Sequence, residues 1–278
     1  MSSNTKVALV TGASSGIGAD TALRLREAGY TVYGAARRVE RMTALRDAGV
    51  RILGLDVTDE DSVRQAVDSI IRESGRVDVL VNNAGYGSYG SLEDVPLAEA
   101  RAQIEVNVFG LALLTQLVLP HMRARRSGTV INVSSMGGKL VTPLGGWYHA
   151  SKYAVEALSD ALRMETRQFG INVVVVEPGS IRTEWGAIAA ETLKQTSGKG
   201  AYAAMAEAVA TTLAQSSRPD AKMTSDPSVI GKAIVKAADA RRPRTRYRVG
   251  FGAGPALFLR RLLPDRAFDF AIRRAFGI

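Results

Sequence analysis

The sequence predicts an α/β protein: a single doubly wound parallel sheet with helices on both faces, plus a helical lid and a C-terminal extension. Three observations predict it. Strand-like and helix-period segments alternate along the first two thirds of the chain. Several strand-like runs are nearly unbroken Val and Ile, which implies strands covered on both faces. The 278 residues, 46% hydrophobic and 23% charged, have ordinary globular composition and suffice for one large core.

Val7–Thr11 is the first strand, and Ile17–Ala28 follows with helical spacing and a stop at Gly29. Thr31–Ala35 is the second strand and Arg51–Asp56 the third. Thr58, with Asp61 three residues on, is expected to cap a helix carrying Val63, Val67, Ile70 and Ile71. Asp78–Asn82 is the fourth strand, Leu97–Met122 one long apolar-striped helix, and Thr129–Val133 the fifth strand. Tyr148–Phe169 is a second long helix and Asn172–Glu177 the sixth strand. Residues 186–226 are Ala-rich, helical in propensity and broken by Ser197-Gly198-Lys199-Gly200. They follow the sixth strand on the carboxyl side of the sheet, where ligands bind, so a mobile lid is expected, with a surface hairpin as the alternative. Val229–Ala240 is a further helix closing a domain of residues 1–240.

Composition narrows the chemistry. With no Cys, there is no disulfide, thiolate metal site or cysteine nucleophile. Two histidines, His121 and His149, leave almost nothing for a His-based metal site or a Ser-His-Asp triad, so no metal is expected. No signal-like segment opens the chain and no apolar run approaches the roughly 20 residues of a membrane span, so a cytoplasmic protein is expected. The net charge of +9 is local: residues 241–278 hold ten Arg against Asp265 and Asp269, leaving +1 for the rest. A basic tail without a recognition motif does not make a nucleic-acid protein.

Two motifs carry chemistry. Thr11-Gly12-Ala13-Ser14-Ser15-Gly16-Ile17-Gly18 lies between the first strand and first helix, where glycines let backbone N–H groups approach a pyrophosphate at a positive helix end. Tyr148-x-x-x-Lys152 places a phenol and an ammonium on one helix face, and a nearby cation lowers a phenol's pKa.

Together and in this order, the motifs resemble the short-chain dehydrogenase/reductase family, a Rossmann-type fold. Four further elements match it: Asp56 ending strand three, Asn82-Asn83-Ala84-Gly85 after strand four, Asn107 in the long helix, and Ser135 thirteen residues before Tyr148. Pro178-Gly179-Ser180-Ile181-Arg182-Thr183 follows strand six as the family's P-G-x-x-x-T. The resemblance covers roughly residues 5 to 185 and implies an oxidoreductase acting on C=O or CH–OH groups. Within it, Tyr148 is the general acid in reduction and the base in oxidation. Lys152 depresses its pKa and holds the nicotinamide ribose. Ser135, rather than Ser134, bonds the substrate oxygen, and Asn107 helps hold a water that relays protons to Lys152. His149, about 100° round the helix from Tyr148, is expected to be structural or exposed.

For the cofactor, the resemblance implies contacts from Gly12, Ser14, Ser15, Gly16, Ile17 and Gly18, from Asp56 and Val57 at the adenine, from Asn83, Ala84 and Gly85, and from Pro178, Gly179, Ile181 and Thr183. Strand two ends in Arg37-Arg38 with no acid at its tip, which suits a 2′-phosphate and favours NADP(H) over NAD(H), although Ser15 stands where the family sometimes has a basic residue. The substrate pocket is expected from Tyr86, Tyr89, Met136, Gly137, Leu140, Leu144, Trp147 and Trp185 with the lid, which favours a small apolar ketone, aldehyde or secondary alcohol. The segments around Asn83 and Asn107 resemble the 17β-hydroxysteroid and retinol dehydrogenase branch. The family also implies a homodimer or homotetramer through the two long helices. A non-catalytic NADP(H)-binding regulator is the alternative, against which the intact Tyr148, Lys152, Ser135 and Asn107 argue.

In the tail, Pro255 and Pro264 are expected at first helical positions. From Pro264, the residues Phe268, Ala271, Ile272, Ala275 and Phe276 make one helical stripe, with Arg266, Arg273 and Arg274 elsewhere and Phe270 on the Arg side. This pattern suits either peripheral contact of 255–278 with an anionic membrane or packing over the pocket or a second subunit.

Overall fold

The computed structural model describes residues 5–278. Seven parallel strands form one sheet: β1 (Val7–Thr11), β2 (Thr31–Ala36), β3 (Arg51–Gly54), β4 (Val79–Asn82), β5 (Gly128–Val133), β6 (Ile171–Pro178) and β7 (Arg246–Val249). Their order is β3-β2-β1-β4-β5-β6-β7, so the connection reverses direction beside β1, where an open α/β sheet leaves a crevice at the strand ends. The helices are α1 (Gly16–Glu27), α2 (Thr43–Asp47), α3 (Glu60–Ser74), α4 (Leu97–Ile104), α5 (Leu111–Ala124), α6 (Gly146–Thr166), α7 (Trp185–Ser197), α8 (Ala203–Ser216), α9 (Ser228–Asp239), α10 (Ala253–Leu262) and α11 (Asp265–Ala275).

Side chains alternate across the strands, so the Val-rich runs feed two cores at once. On one face Val10, Val81, Ile131 and Val174 pack with Leu25 of α1 and Ile230 and Ile234 of α9. On the other, Leu9, Leu80, Val130 and Val173 pack with Val67 and Ile70 of α3 and Leu114 and Val118 of α5. The doubly wound fold is therefore as the sequence predicts.

Several boundaries differ. The third strand stops at Gly54, so Asp56 lies beyond its end, although Leu55 N–H still bonds Ala36 O at 3.1 Å. Asp59, not Thr58, caps α3: its carboxylate accepts from Ser62 N–H at 3.0 Å, while Thr58 bonds back to Asp56. The segment Leu97–Ala124 is interrupted by a π turn over Glu105–Gly110. That segment is long and apolar enough to cross a membrane by length and composition, contrary to the expectation from apolar runs; here its Leu114, Val118 and Met122 are buried in the core. Pro255 is the third residue of α10 and Pro264 the N-cap of α11, so neither is a first helical position. β7, inside the basic tail, has no counterpart among the expected elements.

Candidate active site

The glycine turn is shaped by close approach. Gly12 has φ +66°, and a Cβ there would lie 2.8 Å from Asn83 Nδ2. A Cβ on Gly18 would lie 2.2 Å from the Gly12 carbonyl oxygen, so α1 can begin this close to β1 only with glycine. Ser15 is the extended N-cap of α1, yet its side chain makes no capping bond and the first turn carries no acid. The positive end of α1 is thus left to an outside anion, bordered by Ser14, Gly16 and Ile17. A Cβ on Gly16 would stand 3.1 Å from Thr183, which brings the loop after β6 to this same turn.

The next strand end is locked to the first. Thr11 Oγ1 accepts from the N–H groups of Asn83 and Ala84, both at 3.0 Å, and Asn83 Nδ2 donates to Thr11 O at 2.9 Å. Thr11 was not singled out from the sequence as a site residue, although it opens the glycine motif. A Cβ on Gly85 would meet Asn107 Oδ1 at 3.0 Å and Lys152 Nζ at 3.6 Å, so Gly85 is where these two side chains converge. Asn107, buried in the π turn, accepts from Tyr86 N–H at 3.0 Å and donates to Tyr86 O at 2.9 Å and Ser151 Oγ at 3.0 Å. Both amide N–H groups of Asn107 are therefore committed to protein partners. Here the side chain clamps the loop after Gly85, a job the family resemblance did not imply.

Tyr148 and Lys152 project from one face of α6, a turn apart. Tyr148 is 8% exposed, and its ring lies 5.1 Å from Trp185 and 5.8 Å from Tyr89 between centroids. Burial pushes its phenol up to about 12, against the downward pull of a hydrogen bond with Ser135. Lys152 is not among the groups that govern the phenol, and it is itself buried. Desolvation brings that ammonium down to about 8, against the opposing pull of Glu156, and Nζ donates to Val133 O at 3.0 Å. Ser135 Oγ also accepts from Gly137 N–H at 3.0 Å, whereas Ser134 Oγ is buried with no partner among the described residues. Ser135 is thus the serine beside the phenol. His149 is buried and structural: Nε2 accepts from Thr142 N–H at 2.9 Å, which leaves Nδ1 to donate to Gly137 O at 2.9 Å.

At the outer end of the crevice, Arg37 and Arg38 stand exposed beyond β2. Asp56 is partly buried, which disfavours its charge, but the Thr58 N–H and hydroxyl and the Arg37 guanidinium hold its carboxyl below the usual range. Val57 packs against the π turn, 2.8 Å from where a Gly110 Cβ would be. Gly179 N–H bonds Val249 O at 2.9 Å, continuing the pairing of Pro178, and Ile181 bridges to Ser225. Arg41 and Glu184 form an ion pair at 2.7 Å between the loop after β2 and the residue preceding α7.

The expected substrate residues fall into separate groups. Tyr89, Leu144 and Trp185 join Tyr148 in one apolar cluster, completed by Ala189, Ala190 and Leu193 of α7 and Ala206 and Val209 of α8. Leu144 has φ +62°, a left-handed conformation that costs a bulky residue energy and bends the chain toward the cluster. Met136 and Leu140 pack instead with Leu257 and Phe268 of the tail. Tyr86 faces elsewhere, its hydroxyl donating to Glu99 at 3.1 Å, and the Trp147 indole N–H is buried without a partner among the described residues. Arg182 is engaged with Asp226 at 3.1 Å.

The tail packs on the protein body. Arg246 reaches Glu156, Asp160 and Glu177, and Arg248 reaches Glu177, all within 3.3 Å. Phe268 is buried, and Phe276 touches the cluster around Tyr148. Of the stripe, Phe268, Ile272 and Phe276 pack on the protein body.

Residues 6–194 match the family model described as short chain dehydrogenase, and the chain belongs to that family. The 3-ketodihydrosphingosine reductase of Bacteroides thetaiotaomicron is 47% identical over 178 residues, 64% of this chain. The chain spans 65% of the length of that relative. Among solved structures, a short-chain dehydrogenase from Streptomyces avermitilis superimposes with TM-score 0.80 at 35% identity, covering 99% of this chain and 96% of that one. A metagenomic short-chain oxidoreductase in complex with NADP has TM-score 0.69 at 30% identity, covering 88% of this chain and 96% of that one.

Proposed function

We propose that the protein is an NADP(H)-dependent oxidoreductase for hydrophobic ketones, aldehydes or secondary alcohols of steroid, retinoid or lipid type, with Tyr148 as general acid/base. The observation that carries this reading is Tyr148 buried in an apolar, aromatic cluster with Ser135 beside its hydroxyl. An elevated phenol pKa keeps the proton on Tyr148 at neutral pH, as a proton donor to a carbonyl oxygen requires. Ser135 Oγ would bond that oxygen, and Lys152, a turn further on, would stabilise the phenolate left behind.

The residues present fit a dinucleotide. The Gly12–Gly18 turn offers an uncapped helix end and glycines that a Cβ would spoil, with Asn83, Ala84 and Thr183 against it; Gly85, Asp56, Val57, Pro178, Gly179 and Ile181 would complete the cofactor contacts. NADPH, when bound, supplies the hydride. Arg37 and Arg38, exposed and beyond the end of β2, would take the 2′-phosphate, and the NADP complex of the metagenomic neighbour supports that choice. The named activity of the Bacteroides relative supports a long-chain lipid ketone. In this reading α7 and α8 form a lid over the substrate, with the Trp185 ring 5.1 Å from that of Tyr148. Assembly into a dimer or tetramer would run through α5 with the π turn before it and through α6, where Phe109 of the turn and Leu158 and Met164 of α6 are exposed.

The test is NADPH oxidation across 3-ketodihydrosphingosine, ketosteroids, retinal and small diketones, beside Tyr148→Phe. Turnover on an apolar member, falling by about 10²–10⁴ in the variant while NADPH still binds, is expected. Turnover unchanged in Tyr148→Phe removes the assignment. NADPH binding without turnover on any member returns the weight to a regulator.

A further inference from the structure

We propose that the outer face of α11, with the exposed side of α10, is a docking surface for an anionic lipid membrane, engaged peripherally. On α11, Phe270 is 69% exposed, and Arg266, Arg273 and Arg274 lie one turn before and after it. These four residues, with Asp269 and Ile278, line one shallow groove of about 770 Å³. None of the three arginines has an ion-pair partner among the described residues; Arg260, by contrast, is tied to Asp265 at 2.8 Å. On α10, Phe258 and Leu262, one turn apart, are 63% and 61% exposed, with Arg261 between them in sequence.

The helix is already seated by its other face. Phe268 and Ile272 pack with Leu140, Met136 and Leu257, so the fold does not need the outer Phe270. Large apolar side chains interleaved with unpaired arginines match headgroup phosphates and the acyl boundary together. A second copy meeting this face like-to-like would set arginine against arginine. A nucleic acid would meet the charges but has no use for exposed Leu262 and Phe258. The anchored face touches Met136 and Leu140, next after Ser135 in the chain, so docking here would put the substrate side against the bilayer. That consequence rests on the proposed function; docking itself does not.

Full-length protein is sedimented with vesicles of phosphatidylcholine alone and of phosphatidylcholine with phosphatidylglycerol, and no turnover is read. Binding to the anionic vesicles only is expected. Arg273→Glu with Arg274→Glu should weaken it by about 25-fold or more, since each basic contact is worth about fivefold. Phe270→Ser should weaken it by about tenfold. The same charge reversal at Arg64 and Arg72 on α3 should leave it near the starting value. Each variant is exposed, so an unchanged melting curve accompanies these losses. Absence of vesicle binding, equal binding to neutral vesicles, or variants indistinguishable from the parent would each overturn the proposal. So would a sedimentation mass that falls in Phe270→Ser, which makes the face a subunit contact. DNA retention lost in the same variants, with no vesicle binding, would overturn it too. Because turnover is separate, failure of docking and failure of the enzymatic reading are distinguishable.

Discussion

The two walls of the crevice are built by different physics. On the nucleotide side, backbone meets backbone: Gly18 lies against the Gly12 carbonyl, Thr11 Oγ1 receives two N–H groups, and Asn107 clamps Tyr86 from both sides. On the substrate side the wall is a loose assortment of Ala, Leu and Phe from α7, α8 and the tail, held by burial. Close approach and directed hydrogen bonds allow almost no substitution, whereas apolar packing tolerates swaps that conserve volume. The first wall is thus fixed residue by residue, whereas the second, Tyr148 apart, can be repacked with other apolar side chains.

The largest expected effect would break the simple form of that contrast. The tail is not held by apolar contact alone: Glu177 and Glu156 are buried against Arg246. Burial and the neighbouring Glu156 raise the Glu177 carboxyl, and the arginines offset this only in part. Arg246→Met leaves Glu156 with Lys139 alone and Glu177 with Arg248 alone, and is expected to cost about 3 kcal/mol in urea unfolding. A loss below about 1 kcal/mol would mean that β7 is held by Tyr247 and Val249 instead. On the nucleotide side, Gly18→Ala drives a methyl into the Gly12 carbonyl. We expect a stability loss of about 1–3 kcal/mol and a fall in NADPH affinity of about 100-fold, read by fluorescence titration. Ala210→Gly, in the apolar cluster of α7 and α8, should cost about 1 kcal/mol with NADPH affinity unchanged. Equal losses of affinity in the two variants would erase the distinction between the walls.

The same contrast explains what could be read from the sequence. Where function demands a particular backbone, the demand is written in residue identity, so Gly12, Gly16 and Gly18 stood out by their place between strand and helix, and the Asn83–Gly85 run by the family resemblance. Where packing suffices, many residues serve equally, and nothing marks Ala189, Leu193 or Val209 as neighbours of Tyr148. β7 was hidden by charge. Arg246-Tyr247-Arg248-Val249 alternates as a strand should, with Tyr247 and Val249 on the core and the arginines on buried carboxylates, but a count of arginines reads it as a solvated tail. The π turn at Asn107 has no sequence signal that we know. The Tyr148 phenol was misjudged because proximity of a cation was weighed without the burial that acts on both groups.

That burial predicts pH effects of opposite sign from Lys152 and from the buried phenols. The Lys152 pKa falls from 10.5 in the unfolded chain to about 8 in the fold. Between those values the unfolded state binds the extra proton, so this residue makes stability rise with pH from about 8 toward 10. Above 10 the raised phenols of Tyr148, Tyr89 and Tyr30 act in the opposite sense, because the unfolded chain then loses protons first. Urea unfolding of the parent and of Lys152→Met across pH 7.5–10 should show a rising difference in favour of the parent. Parallel curves would mean that the ammonium is hydrated in the folded state.

The smallest effect tests whether the walls are linked. Arg41 follows β2, Glu184 precedes α7, and their ion pair spans from the nucleotide side to the start of that helix. The side-chain bond to Arg41 is the main reason the Glu184 carboxyl sits below the usual range, with Arg38 contributing charge. Glu184 therefore competes for the arginine proposed to take the 2′-phosphate. Glu184→Gln keeps the shape and removes the competing charge, so NADPH should bind up to about fivefold tighter, the ceiling for so exposed a pair. NADH, lacking the 2′-phosphate, should be unaffected, and the gain should fade at high salt. A matching gain for NADH would place the effect at the pyrophosphate or nicotinamide instead. Weaker NADPH binding would show that Glu184 aligns the arginines for the phosphate, and the walls would then be coupled through cooperation where this geometry implies competition.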